Sequence, residues 1–201
     1  MTERPSLVLA SASSIRAELL RRAGLDIAIE AAVIDEAAIK AGFRAEGRGA
    51  AECALALAEA KAARVARRHA GALVIGADQI LVCGDEWYDK PADERAARAQ
   101  LLALRGRRHE LVTAACVFCD GARLWHCVER PMLTMRDFGA GFLDSYLERS
   151  GETILASVGA YRLEAIGIQL FARIEGDYFA ILGLPLLPLL GFLRDHGILA
   201  R

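Results

Sequence analysis

Three short stretches of this 201-residue chain place hydroxyl or charged side chains at the edge of apolar runs, where burying them is costly unless they are used. In Leu9-Ala10-Ser11-Ala12-Ser13-Ser14-Ile15-Arg16, hydroxyls and the N–H groups of a helix start, backed by an arginine in the first turn, suit a phosphate. The same residues also read as a serine N-cap followed by a solvated arginine. In Val74-Ile75-Gly76-Ala77-Asp78-Gln79, an aspartate leaves a buried run, and Asp89-Lys90-Pro91 returns a lysine further on. Together they could hold a divalent cation and a phosphate or activate a water, or Asp78 could merely cap a strand end. Asp35-Glu36 adds carboxylate, and Lys61 lies among Leu55, Leu57, Ala58, Ala60 and Ala62, where a lone cation either works or snorkels out. The third stretch, Gly159-Ala160-Tyr161-Arg162-Leu163-Glu164-Ala165-Ile166-Gly167, with Ile174-Glu175-Gly176-Asp177-Tyr178 and Gly183-Leu184-Pro185, describes a shaped loop or a tight turn system.

Positioning these groups requires alternating strands and helices. Leu7 to Ala10 reads as a short buried strand, Ser13 to Ala23 as a helix stopped by Gly24, and Ile27 to Ile34 as a second strand. A Gly-rich charged loop, Gly42 to Gly49, leads to a long alanine-rich helix from about Ala50 to His69. Leu73 to Gly76 has the continuous apolar character of a central strand, which would deliver Asp78 at its end. Gly84-Asp85 turns between Ile80 to Val82 and Trp87-Tyr88, and a helix follows from Asp93 to Leu104. Glu110 to Phe118 and Arg123 to Met135 form a hairpin, Phe142 to Arg149 a short helix, Ile168 to Ile174 and Tyr178 to Leu182 strands, and Pro185 to His196 a terminal helix. No repeat or low-complexity tract interrupts this order, which predicts an α/β fold.

Composition excludes several function classes. With 25 Lys plus Arg against 26 Asp plus Glu and a net charge of -1, the chain has no global attraction for a nucleic acid polymer or an anionic membrane surface. At 54% apolar and 25% charged it has ample core material. Its longest charge-free stretch, Tyr178 to Leu193, contains Pro185 and Pro188 and falls short of the roughly 18 to 20 residues of a bilayer span. The N-terminal stretch lacks the apolar core of a secretory signal, so a cytoplasmic protein is expected. Five cysteines form no disulfide framework, and Cys116-x-x-Cys119 has no second pair. Walker A, G-x-G-x-x-G and H-E-x-x-H patterns are absent. What remains is an anion-cradling helix start, cations at Arg16, Lys61 and Lys90, and carboxylates at Asp35, Glu36 and Asp78, a mixture that suits a phosphate ester with a divalent metal.

Taken in order, Leu9-Ala10-Ser11-x-Ser13, Ile34-Asp35-Glu36, Ala60-Lys61-Ala62, Ala77-Asp78-Gln79, Lys90-Pro91, Gly159-Ala160-Tyr161, Glu175-Gly176-Asp177-Tyr178 and Gly183-Leu184-Pro185 resemble the Maf family over nearly the whole chain. The resemblance implies a two-lobed α/β fold with a strongly twisted mixed sheet and a central cleft, similar to inosine triphosphate pyrophosphatases, in one Maf-like domain over 1–201. It implies a cytoplasmic, metal-dependent house-cleaning enzyme that cuts a nucleoside triphosphate to the monophosphate and pyrophosphate, and a homodimer. Residue by residue, it makes Asp78 the proton acceptor for the attacking water and, with Glu36, a ligand of Mg2+, Mn2+ or Co2+. Ser11, Ser13, Arg16, Lys61 and Lys90 would bind the triphosphate. This agrees with the charge neutralisation that attack at an α-phosphorus and departure of pyrophosphate demand.

Departures from the family pattern bear on substrate. The family usually has proline and an arginine pair after Ser13, where this chain has Ser14, Ile15, Arg16 and Ala17. Gln79 and Glu164 resemble the 7-methyl-GTP group rather than the thymidine and uridine triphosphate group. A carboxylate can accept two hydrogen bonds from the N1–H and N2–H2 edge of guanine, which makes Glu164 a guanine reader and a poor partner for a pyrimidine. That group looks to have tryptophan where Ile15 stands, and isoleucine offers no cation–π reward to a methylated, positively charged guanine. Methylated guanine and a broader triphosphate range therefore stay side by side. Two other readings differ in kind: a nucleotide-binding regulator of septum formation that needs no turnover, and a phosphohydrolase that releases the terminal phosphate.

Overall fold

The computed structural model describes residues 5–200. Its elements run β1 (Leu7–Leu9), α1 (Ser14–Arg22), β2 (Ala28–Ile29), α2 (Glu36–Ala45), α3 (Ala50–Ala66), β3 (Leu73–Cys83), β4 (Glu86–Tyr88) and α4 (Glu94–Leu104). There follow β5 (Arg108–Cys119), β6 (Ala122–Glu129), β7 (Met132–Met135), α5 (Ala140–Ser150), β8 (Phe171–Glu175), α6 (Tyr178–Ile181) and α7 (Leu186–Asp195), with three short 3-10 turns between Gly151 and Leu170. The strands form an open mixed sheet in the order β2-β1-β3-β5-β7-β8, with β4 paired to β3 and β6 to β5. β1 runs parallel to β2 and β3, whereas β4, β6, β7 and β8 join antiparallel. The α/β class and mixed sheet are those expected.

The chain divides into two compact units. The first comprises residues up to Asp78, Thr113–Glu129 and the segment from Gly183 onward. Its centre is β1 and the first half of β3, with the α3 face of Cys53, Ala54, Leu57, Ala58, Lys61, Ala62 and Val65 buried at helical spacing. The second comprises Gln79–Val112 and Arg130–Leu182 and packs Leu81, Leu101, Leu104, Leu133, Met135 and Tyr161 into its own core. A leucine fully withdrawn from water in either core contributes about 1.5–3 kcal/mol.

Several local expectations are corrected. β3 does not end at Asp78 but runs on to Cys83, because no residue between Ala77 and Cys83 breaks the strand and because the buried aspartate has a partner. The strand expected over Ile27 to Ile34 shrinks to Ala28–Ile29, residues 30–35 lie in no regular element, and α2 begins at Glu36. Asp35 caps that helix by accepting from the Ala38 N–H at 2.9 Å, and Gly42 lies inside it. The strand read over Arg123 to Met135 divides into β6 and β7 around Pro131, whose nitrogen has no proton for a ladder. A 3-10 turn takes Ile166–Leu170 before β8 begins. Tyr178 to Leu182, expected as a strand, contains α6, because the Asp177 side chain accepts from the Ala180 N–H at 2.7 Å and starts a helical turn.

Candidate active site

Asp78 and Gly76 are two residues apart on β3, so the pleat turns both to the same face, and that face meets α3. A Cβ on Gly76 would stand 2.1 Å from the Ala58 carbonyl oxygen and 2.9 Å from the Ala62 Cβ, so only glycine allows this approach of helix to strand. Lys61 lies between those two alanines on α3. It does not snorkel to solvent: it is 8% exposed and its Nζ donates to Oδ1 of Asp78, itself 5% exposed. Glu36, the first residue of α2, reaches the same ammonium through Oε1 at 2.8 Å, with its side chain half exposed. Two carboxylates from separate elements thus converge on one cation. A buried pair of this kind survives desolvation only because each charge has a partner.

The helix start carries the second part of the site. Ser13 caps α1 in the ordinary way, its Oγ accepting from the Arg16 N–H at 3.4 Å. Ser11, buried at the end of the β1 turn, accepts from the Ser13 N–H at 3.2 Å and from Arg16 Nη1 at 3.3 Å. Arg16 also donates Nε to the Gly183 carbonyl and Nη1 to the Ala77 carbonyl, each at 2.7 Å. Burial draws the Arg16 pKa down, and the charges of Asp78 and Glu36 oppose that shift. The guanidinium is therefore a clamp between α1, β3 and the Gly183 turn, and it can offer a phosphate its Nη2 edge. Gly183 has φ +100° and leaves room for it, since a Cβ there would lie 3.2 Å from Arg16 Nε.

Within the first unit, then, the structure brings Ser11, Ser13 and Arg16 together, brings Glu36, Lys61 and Asp78 together, and links the two groups through the backbone of Ala77. Ile15 is partly buried on α1. Gln79, Lys90 and Glu164 belong to the second unit. There Gln79 donates Nε2 to the carbonyls of Ala180 at 3.0 Å and Ile181 at 3.1 Å, so its amide is fixed to the end of α6. Lys90 is exposed after β4, and its neighbour Asp89 is held by Gln100 Nε2 at 2.8 Å from α4. Glu164 accepts from Arg162 Nε at 2.9 Å through Oε1, leaving its other oxygen outside that bond. In the loop before it Ala160 holds a φ of +57°, uncommon for a residue with a side chain, after Gly159 at +78°, and the Tyr146 hydroxyl donates to the Ala160 carbonyl at 3.1 Å.

Sequence reasoning placed Gly183 in a shaped loop but saw neither its contact with Arg16 nor the close approach at Gly76, although each had a signal. A glycine inside an apolar strand marks close backbone approach, and Gly183 precedes Leu184-Pro185. Glu36 and Asp78 offer hard carboxylate oxygens, a donor type that suits Mg2+ or Mn2+ better than a soft-ligand metal, and among the described residues they belong to no cluster of three or more His, Cys, Asp or Glu able to hold a metal by itself.

A profile of the Maf-like protein family matches residues 6–196 of this chain. The chain is 56% identical over 193 residues to a nucleoside triphosphate pyrophosphatase of Granulibacter bethesdensis, covering 96% of this chain and 98% of that one. It is 54% identical over 190 residues to a protein of the same name from Paramagnetospirillum magneticum, at 94% and 98% coverage. A 7-methyl-GTP pyrophosphatase of Mesorhizobium japonicum is 50% identical over 197 residues, covering 98% of both chains. With a family profile matched over nearly the whole chain and relatives at 50–56% identity along its length, the chain belongs to the Maf-like protein family.

Proposed function

We propose that this chain, acting as one catalytic domain over 1–201, is a nucleoside triphosphate pyrophosphatase that converts NTP and water to NMP and pyrophosphate. The observation that carries the reading is Asp78, a buried carboxylate held beside Lys61 and Glu36 in the middle of a strand, where burial without use would be costly. The names of the relatives support the same chemistry.

In this reading a water oxygen attacks the α-phosphorus, the bond from that phosphorus to the bridging oxygen of the β-phosphate breaks, and pyrophosphate departs with the bond's electrons. Asp78 takes the proton of the attacking water, the role of a carboxylate general base. Glu36 and Asp78 would hold Mg2+, Mn2+ or Co2+, which when bound neutralises phosphate charge and acidifies water. Ser11 and Ser13 offer hydroxyls and the N-terminal end of α1 to the phosphates, Arg16 its Nη2 edge, and Lys61 and Lys90 compact cations. The roles of Lys90, Gln79, Ile15 and Glu164 rest on the family resemblance, as do a homodimer and a cytoplasmic location. For the base we favour guanine, because Glu164 keeps a carboxylate oxygen beyond its bond to Arg162.

The decisive experiment supplies a panel of triphosphates with Mg2+, Mn2+ or Co2+ and scores pyrophosphate against orthophosphate. Asp78→Asn is expected to lower kcat by about 100-fold or more, the scale of a lost general base, while the fold persists. Turnover by the Asn variant at the wild-type rate, or release of orthophosphate alone, would overturn the assignment.

A further inference from the structure

The ammonium of Lys61 bridges Asp78 and Glu36, the two carboxylates read above as metal ligands. Its Nζ donates to Oδ1 of Asp78 and to Oε1 of Glu36 at 2.8 Å, and the stem that brings it there is buried on α3. Each carboxylate thus spends an oxygen on Lys61. A metal using the same oxygens would have to approach at about 2.0–2.1 Å from them, against a like charge already in contact with both. A divalent cation that used Oδ1 of Asp78 and Oε1 of Glu36 would compete with Lys61 for them.

We propose that Lys61 is a cation placeholder: in the nucleotide-free protein it neutralises Asp78 and Glu36 and keeps divalent metal out, and the arriving metal–triphosphate complex draws the ammonium onto phosphate and frees the carboxylates. This rests on the reading of Glu36 and Asp78 as the metal ligands. The side chain suits the exchange. A lysine head is a compact charge on a flexible four-carbon stem, able to move between anions, whereas Arg16 is tied by its fork to Gly183, Ala77 and Ser11 and is not. Metal and nucleotide then bind with positive coupling, each tightening the other by the same factor.

The test measures Mn2+ binding to the full chain by the electron paramagnetic resonance of the free ion, first without nucleotide. Lys61→Met is expected to bind Mn2+ about tenfold or more tightly than wild type, within the usual range of such couplings. Lys61→Arg, which keeps the charge, should stay weak. Adding Asp78→Asn to the Met variant should abolish the gain. An α,β-methylene triphosphate should tighten Mn2+ binding in wild type, after correction for metal on the analogue itself, and tighten it far less in the Met variant. Should the Met variant not fold, Lys61→Gln answers the same question. Equal Mn2+ affinity in wild type and the uncharged variants overturns the placeholder. If Mn2+ binding then still requires Asp78 and Glu36 in the nucleotide complex, the metal reading stands without it. If no form binds Mn2+ with or without nucleotide, the metal reading falls as well.

Discussion

Under the proposed function, Glu164 and Ile15 bear in opposite directions on the choice of base. The Glu164 carboxylate is oriented by Arg162 through one oxygen, which fixes its direction at little cost because the two residues are neighbours in one turn. A carboxylate so fixed is an acceptor only, which suits the N1–H and N2–H2 donors of guanine and repels the carbonyl edge of uracil. Ile15 has no ring face with which to reward a positively charged, methylated base. Replacing Glu164 by Gln removes the charge and turns half of the acceptor into a donor. The kcat/KM ratio of GTP to UTP should then fall by about tenfold or more, the loss of one charge-assisted hydrogen bond. Steady-state kinetics on the two substrates check this, and an unchanged ratio would remove Glu164 from base reading while leaving the phosphate chemistry untouched.

Helix α3 and strand β3 fix the Asp78 carboxylate through the contact at Gly76, so the placing of that side chain against Lys61 depends on a residue with no side chain. Gly76→Ala puts a methyl 2.1 Å from the Ala58 carbonyl, and backbone cannot yield as the tip of a side chain would. The expected cost is about 1–3 kcal/mol of overpacking strain, together with loss of the Lys61–Asp78 contact as α3 is pushed away. Chemical denaturation and turnover measure the two effects, and both should change. Much at this scale was legible beforehand. The 3.6-residue apolar spacing and glycine stops marked α1, α3 and α4 within a few residues, and the Gly84-Asp85 turn marked the β3–β4 hairpin. The errors share a physical cause. Gly42 to Gly49 suggested a loop, yet the Asp35 cap and the packing of α2 on α3 carry the helix through Gly42 to Ala45, outweighing the weak intrinsic propensity of one interior glycine. In α6 the apolar run looked like strand because four residues are too few to show a helical period, and the Asp177 cap decided it. The residue types of the site were legible as well, but that Glu36 and Asp78 close on the same ammonium was not, because contact between residues 36, 61 and 78 is set by the α3–β3 crossing rather than by local pattern.

At the scale of the whole molecule, the response of stability to acid reports on a group remote from the chemistry. His109 on β5 is 1% exposed in the core of the second unit, with Nε2 2.9 Å from the Tyr161 hydroxyl and its ring beside Phe171. Burial pushes its pKa from 6.5 down to about 4, aided slightly by the charge of Arg107 and opposed by the Arg107 backbone. The native imidazole is therefore neutral where the unfolded one is already charged. Between about pH 6.5 and 4 the unfolded chain binds more protons than the native chain, so the stabilising contribution of neutral His109 is complete above that window and is lost as pH falls through it. The slope should reach about 1.4 kcal/mol per pH unit near pH 5, with a total loss of about 3 kcal/mol. Glu30 and Glu52, held below the ordinary carboxylate range by hydrogen bonds from His69 and Arg68 and from Arg48, exert their own acid effect lower, as pH falls below about 4.5. Urea unfolding of the wild-type chain from pH 7 to 4.5 should show uptake of about one proton centred near pH 5. In His109→Phe that uptake should vanish because the titrating imidazole is gone, while the loss of the Tyr161 hydroxyl's partner shifts absolute stability alike at every pH. A slope unchanged by the substitution would mean that His109 is protonated in the native core, against its burial.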